Sequence, residues 1–307
     1  MIVAVTGANG FIGRHLCERL TSEGWTVRAG LRRDVQPDAI ANLVTGADVV
    51  IHAAGATRAP TQRALRDSNV ELTRCVASAA VKAHVGRFVF ISSQAAAGPS
   101  PNRETAITEA SPDAPTEAYG RSKRDAELVI RETRDLAHVI VRPAAVYGPR
   151  DRDFQALFRL ARFGVAVHPG NREQWISLLH VDDAVEGIVR ATMAETSAGE
   201  TYFLANDAPA QWAELFALAA KAAGQQLHVD IEVPSALVKV GAAMGDVVAR
   251  LSGKAGLLTS DKAALSAPRF WICSNEKARR ELGFEPRVGL RDGFAATYAW
   301  YRSNGWL

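Results

Sequence analysis

Tyr119 and Lys123 stand four residues apart in 117-EAYGRSK-123. That is one turn of an α-helix, so a phenol and an ammonium can share one face. The apolar or small positions Ser122, Ala126, Val129 and Ile130 continue the same face. A lysine on a half-buried face is costly unless it has a task. Beside a phenol the task is electrostatic: the ammonium favours phenolate, which is expected to draw the tyrosine pKa down toward the range of a working acid/base. Upstream, 88-FVFISS-93 reads as a strand ending in two hydroxyls, Ser92 and Ser93. Such hydroxyls emerge at the carboxyl edge of a sheet, where α/β proteins bind ligands.

A second constellation, 7-GANGFIG-13, follows a five-residue apolar strand and opens a helix. Gly7 permits a tight turn, Gly10 lets the backbone approach a pyrophosphate, and Gly13 lets the helix pack against the strand. The helix N-terminus attracts phosphate charge. The GxxGxxG spacing is one residue longer than the common fingerprint, but its place between strand and helix predicts dinucleotide binding over a plain turn. The second strand ends 28-RAGLRR-33 without a carboxylate to hold a ribose hydroxyl. Arg32 or Arg33 could pair with a 2′-phosphate, which favours NADP, with NAD second; the alternative is two solvated surface arginines.

The elements that must position these groups alternate. Candidate strands are 2-IVAVT-6, 26-TVRAGL-31, 48-DVVIHA-53, 87-RFVFIS-92 and 138-HVIVR-142, separated by helical patterns such as Ile12, Leu16 and Leu20. Nearly continuous apolar strands imply a parallel sheet covered on both faces, a doubly wound α/β (Rossmann) fold. About sixteen residues separate the second strand from 48-DVVIHA-53, too few for helix, strand and helix, so the third strand is expected to be short or missing. Further on, a helix near 153–163, a strand around Tyr202–Ala205 and a helix at 211–223 are expected. The apolar stretch 236-ALVKVGAAMGDVVARL-251, interrupted by Lys239 and Asp246, is expected to be a packed helix, too short for a membrane span.

The chain has 307 residues, 48% hydrophobic and 22% charged, with net charge +3. The cations are scattered, so no stripe suggests nucleic acid. Cys17, Cys75 and Cys273 lie far apart without metal-ligand spacing, which points to a reducing compartment and to neither disulfides nor a metal site. The first residues read as a buried strand and not as a signal peptide. A cytoplasmic location follows as the default.

With these pieces in order, the chain resembles the extended short-chain dehydrogenase/reductase family, the NAD-dependent epimerase/dehydratase group. The resemblance runs through 7-GANGFIG-13, 52-HAAG-55, 69-NVELT-73, 92-SS-93, 119-YGRSK-123, 142-RPAAVYGPRD-151, 180-HVDDAV-185 and 277-KARRELGFEPR-287. It implies Tyr119 as general acid/base, Lys123 lowering its pKa and binding the nicotinamide ribose, and Ser93 holding the substrate oxygen, with Ser92 structural. It implies a cofactor site of Gly7, Asn9, Gly10, Phe11, Ile12, Gly13, Ala53, Ala54, Gly55 and Pro143, joined by Tyr119 and Lys123 and organised by Asn69. Arg142 and His180 fall among its architectural positions. The resemblance further implies a dinucleotide domain of residues 1–150 and 174–205, and a substrate-binding lobe of 151–173 and 206–307, closed by a helical segment at 274–302. It also implies a homodimer through the YxxxK helix and the helix at 68–84.

Family members that bind nucleotide sugars hold the diphosphate with amide and cationic side chains. Here Ala145, Ile176 and Ala263 occupy those positions. Each charge-assisted contact is worth about 1.5–3 kcal/mol, so three absences together argue against a nucleotide sugar unless Arg150, Arg152, Arg172 or Arg269 substitutes. Trp175, Leu178, Leu179 and the 236–251 helix suggest an apolar pocket. The expected activity is NAD(P)-dependent hydride transfer to or from a carbonyl or secondary alcohol of a small, apolar molecule. The alternatives are a nucleotide-sugar 4-epimerase, a dehydratase (disfavoured because 92-SSQAAAG-98 lacks an acidic pair), and a dinucleotide-binding sensor without chemistry.

Overall fold

The structure, a computed structural model, describes residues 1–31, 36–170, 172–195, 198–252, 260–265 and 267–307. Arg32 and Arg33 lie outside the described residues.

Six strands, β1 (Ile2–Thr6), β2 (Thr26–Gly30), β3 (Val49–His52), β4 (Arg87–Ile91), β5 (His138–Pro143) and β6 (Thr201–Leu204), form one sheet in the order β2-β1-β3-β4-β5-β6. Every pairing in it is parallel. Alternate side chains leave opposite faces of a strand, and both faces are apolar here. On one face Val3, Val5, Ile51 and Val89 pack with Leu16 and Leu20 of α1 (Phe11–Ser22) and Ile188 of α5 (Val181–Met193). On the other, Ala4, Val50, Phe88 and Phe90 pack with Ile40 of α2 (Pro37–Val44), Val76 of α3 (Leu72–Lys82) and Ala126 and Ile130 of α4 (Ala118–Glu132). Helices on both faces of a parallel sheet make the doubly wound fold that the strand pattern predicts.

The sheet ends at β2. From there the chain runs through α2 directly to β3 beside β1, and among the described residues no strand lies beyond β2. The short segment between the two strands has room for one helix and nothing more.

The C-terminal elements gather around a third core, with Phe158 of the helix Gln155–Ala161, Leu215 and Phe216 of α6 (Trp212–Ala222), and Phe294 and Tyr301 of α8 (Leu290–Ser303). Asp183 caps this arrangement by accepting hydrogen bonds from the backbone N–H of Arg287 (3.0 Å) and Val288 (2.9 Å). The apolar stretch 236–251 lies in a helix, α7 (Ser235–Ser252), but is only partly packed. Val238 and Ala242, one turn apart, are buried, whereas Leu237, Val240 and Met244 are exposed. The helix meets the rest of the protein on one face, and the apolar side chains at Leu237, Val240 and Met244 stay in solvent.

Candidate active site

The glycine turn joins β1 to α1. Gly7 has φ +69°, and a Cβ there would lie 2.8 Å from the Ala54 backbone; at Gly13 it would lie 2.2 Å from the Gly7 carbonyl oxygen. Only hydrogen fits at either position. The close approach leaves Gly10 as the N-cap of α1, with no capping side chain and no acidic residue in the first turn. The first N–H groups of a helix have no partner within it, and here no side chain competes for them. Asn9 and Gly10 are exposed and Phe11 and Ile12 half-buried beside them. This bare, positive helix end fits a dinucleotide pyrophosphate.

The turn after β3 is fixed by a buried chain of hydrogen bonds. His52 Nδ1 meets Thr6 Oγ1 at 2.6 Å and its Nε2 meets Thr73 Oγ1 at 2.9 Å, while the Thr73 hydroxyl donates to the Asn69 carbonyl at 2.5 Å. Burial, aided by the Lys123 charge, pushes the His52 pKa down to about 3, so the imidazole works neutral. Ala54 N–H donates to Thr6 Oγ1 (3.2 Å). Asn69 sits in a π-helical turn, Asp67–Glu71, a distortion frequent at functional sites. Its Oδ1 accepts from Ala56 N–H (2.7 Å), and its Nδ2 donates to Ala56 O (3.0 Å) and to Ser122 Oγ (2.8 Å). Asn69 thus ties this turn to α4. A Cβ on Gly55 would lie 2.9 Å from Asn69 Oδ1 and 4.0 Å from Lys123 Nζ, so Gly55, Asn69 and Lys123 converge.

Ser93 follows β4, and Tyr119 and Lys123 lie on the first turns of α4. Tyr119 lies near enough to Ser93 for the serine hydroxyl to lower the phenol's pKa. Ser93 Oγ also accepts from Ala95 N–H at 3.2 Å. Gly120 permits this meeting: a Cβ there would lie 2.2 Å from the Ala95 carbonyl oxygen. Glu117, the N-cap of α4, accepts from Gly120 N–H at 2.8 Å. The glycine between tyrosine and lysine is therefore a site determinant, one that pattern reading passed over although the signal (a helix-interior glycine) was in view.

Lys123 is buried, donates to the Ile91 carbonyl at 2.6 Å and lies 4.2 Å from the Phe90 ring centroid. Burial pushes its pKa down to about 7 against the opposing charge of Glu127. Tyr119 departs from the sequence expectation: burial pushes its pKa up to about 12, with the Ser93 hydroxyl lowering it and Glu117 raising it. The ammonium is held by Ile91, and desolvation governs the phenol. Behind the pair, Arg142 Nε and Nη2 clasp the Glu127 carboxylate at 2.9 and 2.6 Å, Arg142 also reaches Asp113 at 2.9 Å, and the Ser92 hydroxyl donates to Glu127. Pro143 ends β5 and is buried.

The four arginines that could hold a diphosphate each have another contact. Arg150 pairs with Glu18 (2.7 Å), Arg172 with Asp230 (2.9 Å) and Arg269 with Glu173, and Arg152 stacks over Trp306. Two residues drop out of the expected apolar pocket, because Leu178 and Leu179 are buried in the third core and the sheet core. Trp175 is half-exposed with Arg103 3.8 Å above its ring.

Residues 3–205 match the model of the NAD dependent epimerase/dehydratase family. The chain belongs to this family. It is an NAD(P)-dependent enzyme of the extended short-chain dehydrogenase/reductase type. It is similar to a ceramide reductase of Caulobacter vibrioides, 30% identical over 100% of this chain and 96% of that one. It is also similar to a Stigmatella aurantiaca ketoreductase of a 4-farnesyl-3,4-dihydroquinoline-1-oxide, 28% identical over 95% and 94% of the two chains. A dTDP-glucose 4,6-dehydratase from Streptomyces venezuelae, solved with NAD bound, has the same fold (TM-score 0.82, 24% identity, 100% and 98% covered). Among the described residues, no helix is long and apolar enough to cross a membrane.

Proposed function

We propose that this family member reduces the carbonyl, or oxidises the secondary alcohol, of an apolar molecule that carries no nucleotide. The observation that carries the proposal is the approach of Ser93 to Tyr119, with Lys123 one turn on and buried, and a bare helix end walled by Gly7, Gly10 and Gly13. Gly7, Asn9, Gly10, Phe11, Ile12, Gly13, Ala53, Ala54 and Gly55 would hold the dinucleotide, and Asn69 would fix the turn beneath it. Bound there, a nicotinamide dinucleotide would supply or accept the hydride.

In the direction of reduction, Ser93 and Tyr119 direct their hydroxyls at one substrate oxygen and polarise the carbonyl. As charge gathers on that oxygen, Tyr119 passes its proton to it, and the carbonyl becomes an alcohol. The high pKa of the phenol keeps the proton in place until then. The Lys123 ammonium offsets the charge left on the tyrosine oxygen. Residues 1–150 and 174–205 form the cofactor part in this assignment, and 151–173 and 206–307 the substrate part.

The substrate class rests on the four arginines: three of them already pair with carboxylates and Arg152 lies over Trp306. The Caulobacter and Stigmatella relatives, named for reducing a ceramide and a farnesylated quinoline oxide, support an apolar ketone. We infer NADP as the cofactor from Arg32 and Arg33, and a homodimer through α3 and α4. The test is reduction of a panel of long-chain and polycyclic ketones with NADPH and NADH. Tyr119→Phe should lower turnover on the order of 10²–10⁴-fold, and Arg32→Ala or Arg33→Ala should erode the preference for NADPH. Full turnover in Tyr119→Phe would remove the tyrosine from the mechanism. Thermal stabilisation by UDP or dTDP would instead revive a nucleotide-sugar substrate.

A further inference from the structure

We infer that Glu127 is a positioning residue of this site: its carboxylate, one helical turn beyond Lys123 and clamped by Ser92 and Arg142, is the counter-charge that keeps the lysine ammonium beside the phenol. The inference rests on the assignment of Tyr119 and Lys123 above.

Glu127 and Arg142 are among the most deeply buried charged groups in the protein, with side chains 2% and 3% exposed. Three separate segments meet at the carboxylate: α4 carries it, Ser92 at the end of β4 donates to it, and Arg142 of β5 grips both of its oxygens. Asp113 braces the far side of Arg142 at 2.9 Å, and Arg131 stands 3.8 Å from Glu127. A buried ion pair is a poor source of stability, since desolvation consumes most of its attraction. A clamp this complete calls for another purpose, and its place on the helix supplies one. Residues four apart face the same way, so Glu127 lies behind Lys123 as Tyr119 lies ahead of it.

The surroundings of Lys123 leave Glu127 without a substitute. From β3 comes His52, held neutral by burial. From β4 come an uncharged carbonyl and a ring, Ile91 O and the Phe90 face. Gly55 and Asn69 approach from the turns after β3, and neither carries charge. On α4 itself stand Tyr119 and Glu127. On α4 the carboxylate one turn from the lysine and buried on the same face is Glu127, whose charge opposes the burial that draws the ammonium toward neutrality. Ser92 and Arg142, which the family pattern marks as architectural, thereby acquire a task in the site: they hold this carboxylate in place.

The test follows the Lys123 ammonium directly, by ¹⁵N-lysine NMR across the neutral and alkaline range. The resonance is identified by its absence from Lys123→Met. In Glu127→Gln, which keeps the shape and one acceptor oxygen, the Lys123 midpoint should move to lower pH by about one unit or more. The alkaline limb of NADPH-dependent ketone reduction should move with it, so that activity lost at neutral pH returns on acidification. Glu127→Asp, which draws the charge back by one methylene, should give a smaller move in the same direction and carries the test if the glutamine variant fails to fold. A folded variant with a lowered melting temperature and an unmoved Lys123 midpoint would reduce Glu127 to a packing residue and overturn the inference. The NMR midpoint does not depend on any ketone being turned over, so an inert wild-type enzyme would count against the proposed reaction and not against this one.

Discussion

At the scale of single residues, the site holds two groups whose burial works against their charge. Burial pushes the Lys123 pKa down to about 7 in the folded state, from an ordinary value of 10.5. The folded state therefore binds fewer protons than the unfolded chain between those values, and stability rises with pH across that window. Below 7 both states are protonated and the full penalty stands, of order 5 kcal/mol. Lys123→Met removes this dependence. The difference in melting temperature between the variant and wild type should favour the variant most near pH 7 and shrink by several degrees as pH approaches 10. A difference that stays constant over the interval would mean that burial does not strain the lysine. His52 works in the opposite range: its folded value near 3 keeps it neutral, so its contribution is complete above its ordinary value of 6.5 and is lost as pH falls toward 3.

At the scale of elements, the junction of β1 and α1 is held by backbone contacts that admit no side chain. Gly13→Ala would put a methyl 2.2 Å from the Gly7 carbonyl oxygen, and α1 must then withdraw from the turn. Overpacking of this kind costs about 1–3 kcal/mol. Because the displaced part is the bare N-terminus of α1, NADPH affinity measured by fluorescence titration should fall about tenfold or more. Retained affinity would separate this helix end from the cofactor. Glycines of this sort were legible from spacing, as were all six strands of the sheet, because a period of two or a continuous apolar run records which faces are buried. The truncated sheet was legible from chain length alone. The internal electrostatics were not. The pKa of Tyr119 depends on how deeply a phenol sits and on where a lysine spends its hydrogen bonds, and spacing fixes neither. Gly120 and the Glu127–Arg142 clasp depend on contacts between segments distant in the chain, as do the ion pairs of Arg150, Arg172 and Arg269. The half-exposed α7 shows the same limit, since hydrophobicity along a helix does not say how much protein is available to cover it.

At the scale of the whole molecule, the C-terminal elements join the sheet through Ala278, Leu282 and Phe284, which pack in its core, and through a few polar points. Asp183, at the start of α5, accepts two backbone N–H groups from the segment that leads into α8, and Tyr301 of α8 donates to the Asp151 carbonyl at 2.5 Å. Asp183→Ala leaves two N–H groups without their acceptor, at about 1–3 kcal/mol each. The melting temperature should fall by several degrees while turnover at low temperature is retained, because Asp183 is remote in role from Ser93, Tyr119 and Lys123. A selective loss of turnover without a change in melting would move Asp183 into the site.

The three cysteines give the molecule an optical handle it was not built to have. Cys273 is buried with its thiol pushed up to about 12, and Cys17 is half-buried with its thiol raised by burial and by Glu18, whereas Cys75 stands exposed on α3. A maleimide dye at neutral pH therefore reports on one position, and that position lies on the helix assigned to the dimer contact. Labelling that slows as protein concentration rises would make the unaltered chain its own gauge of assembly.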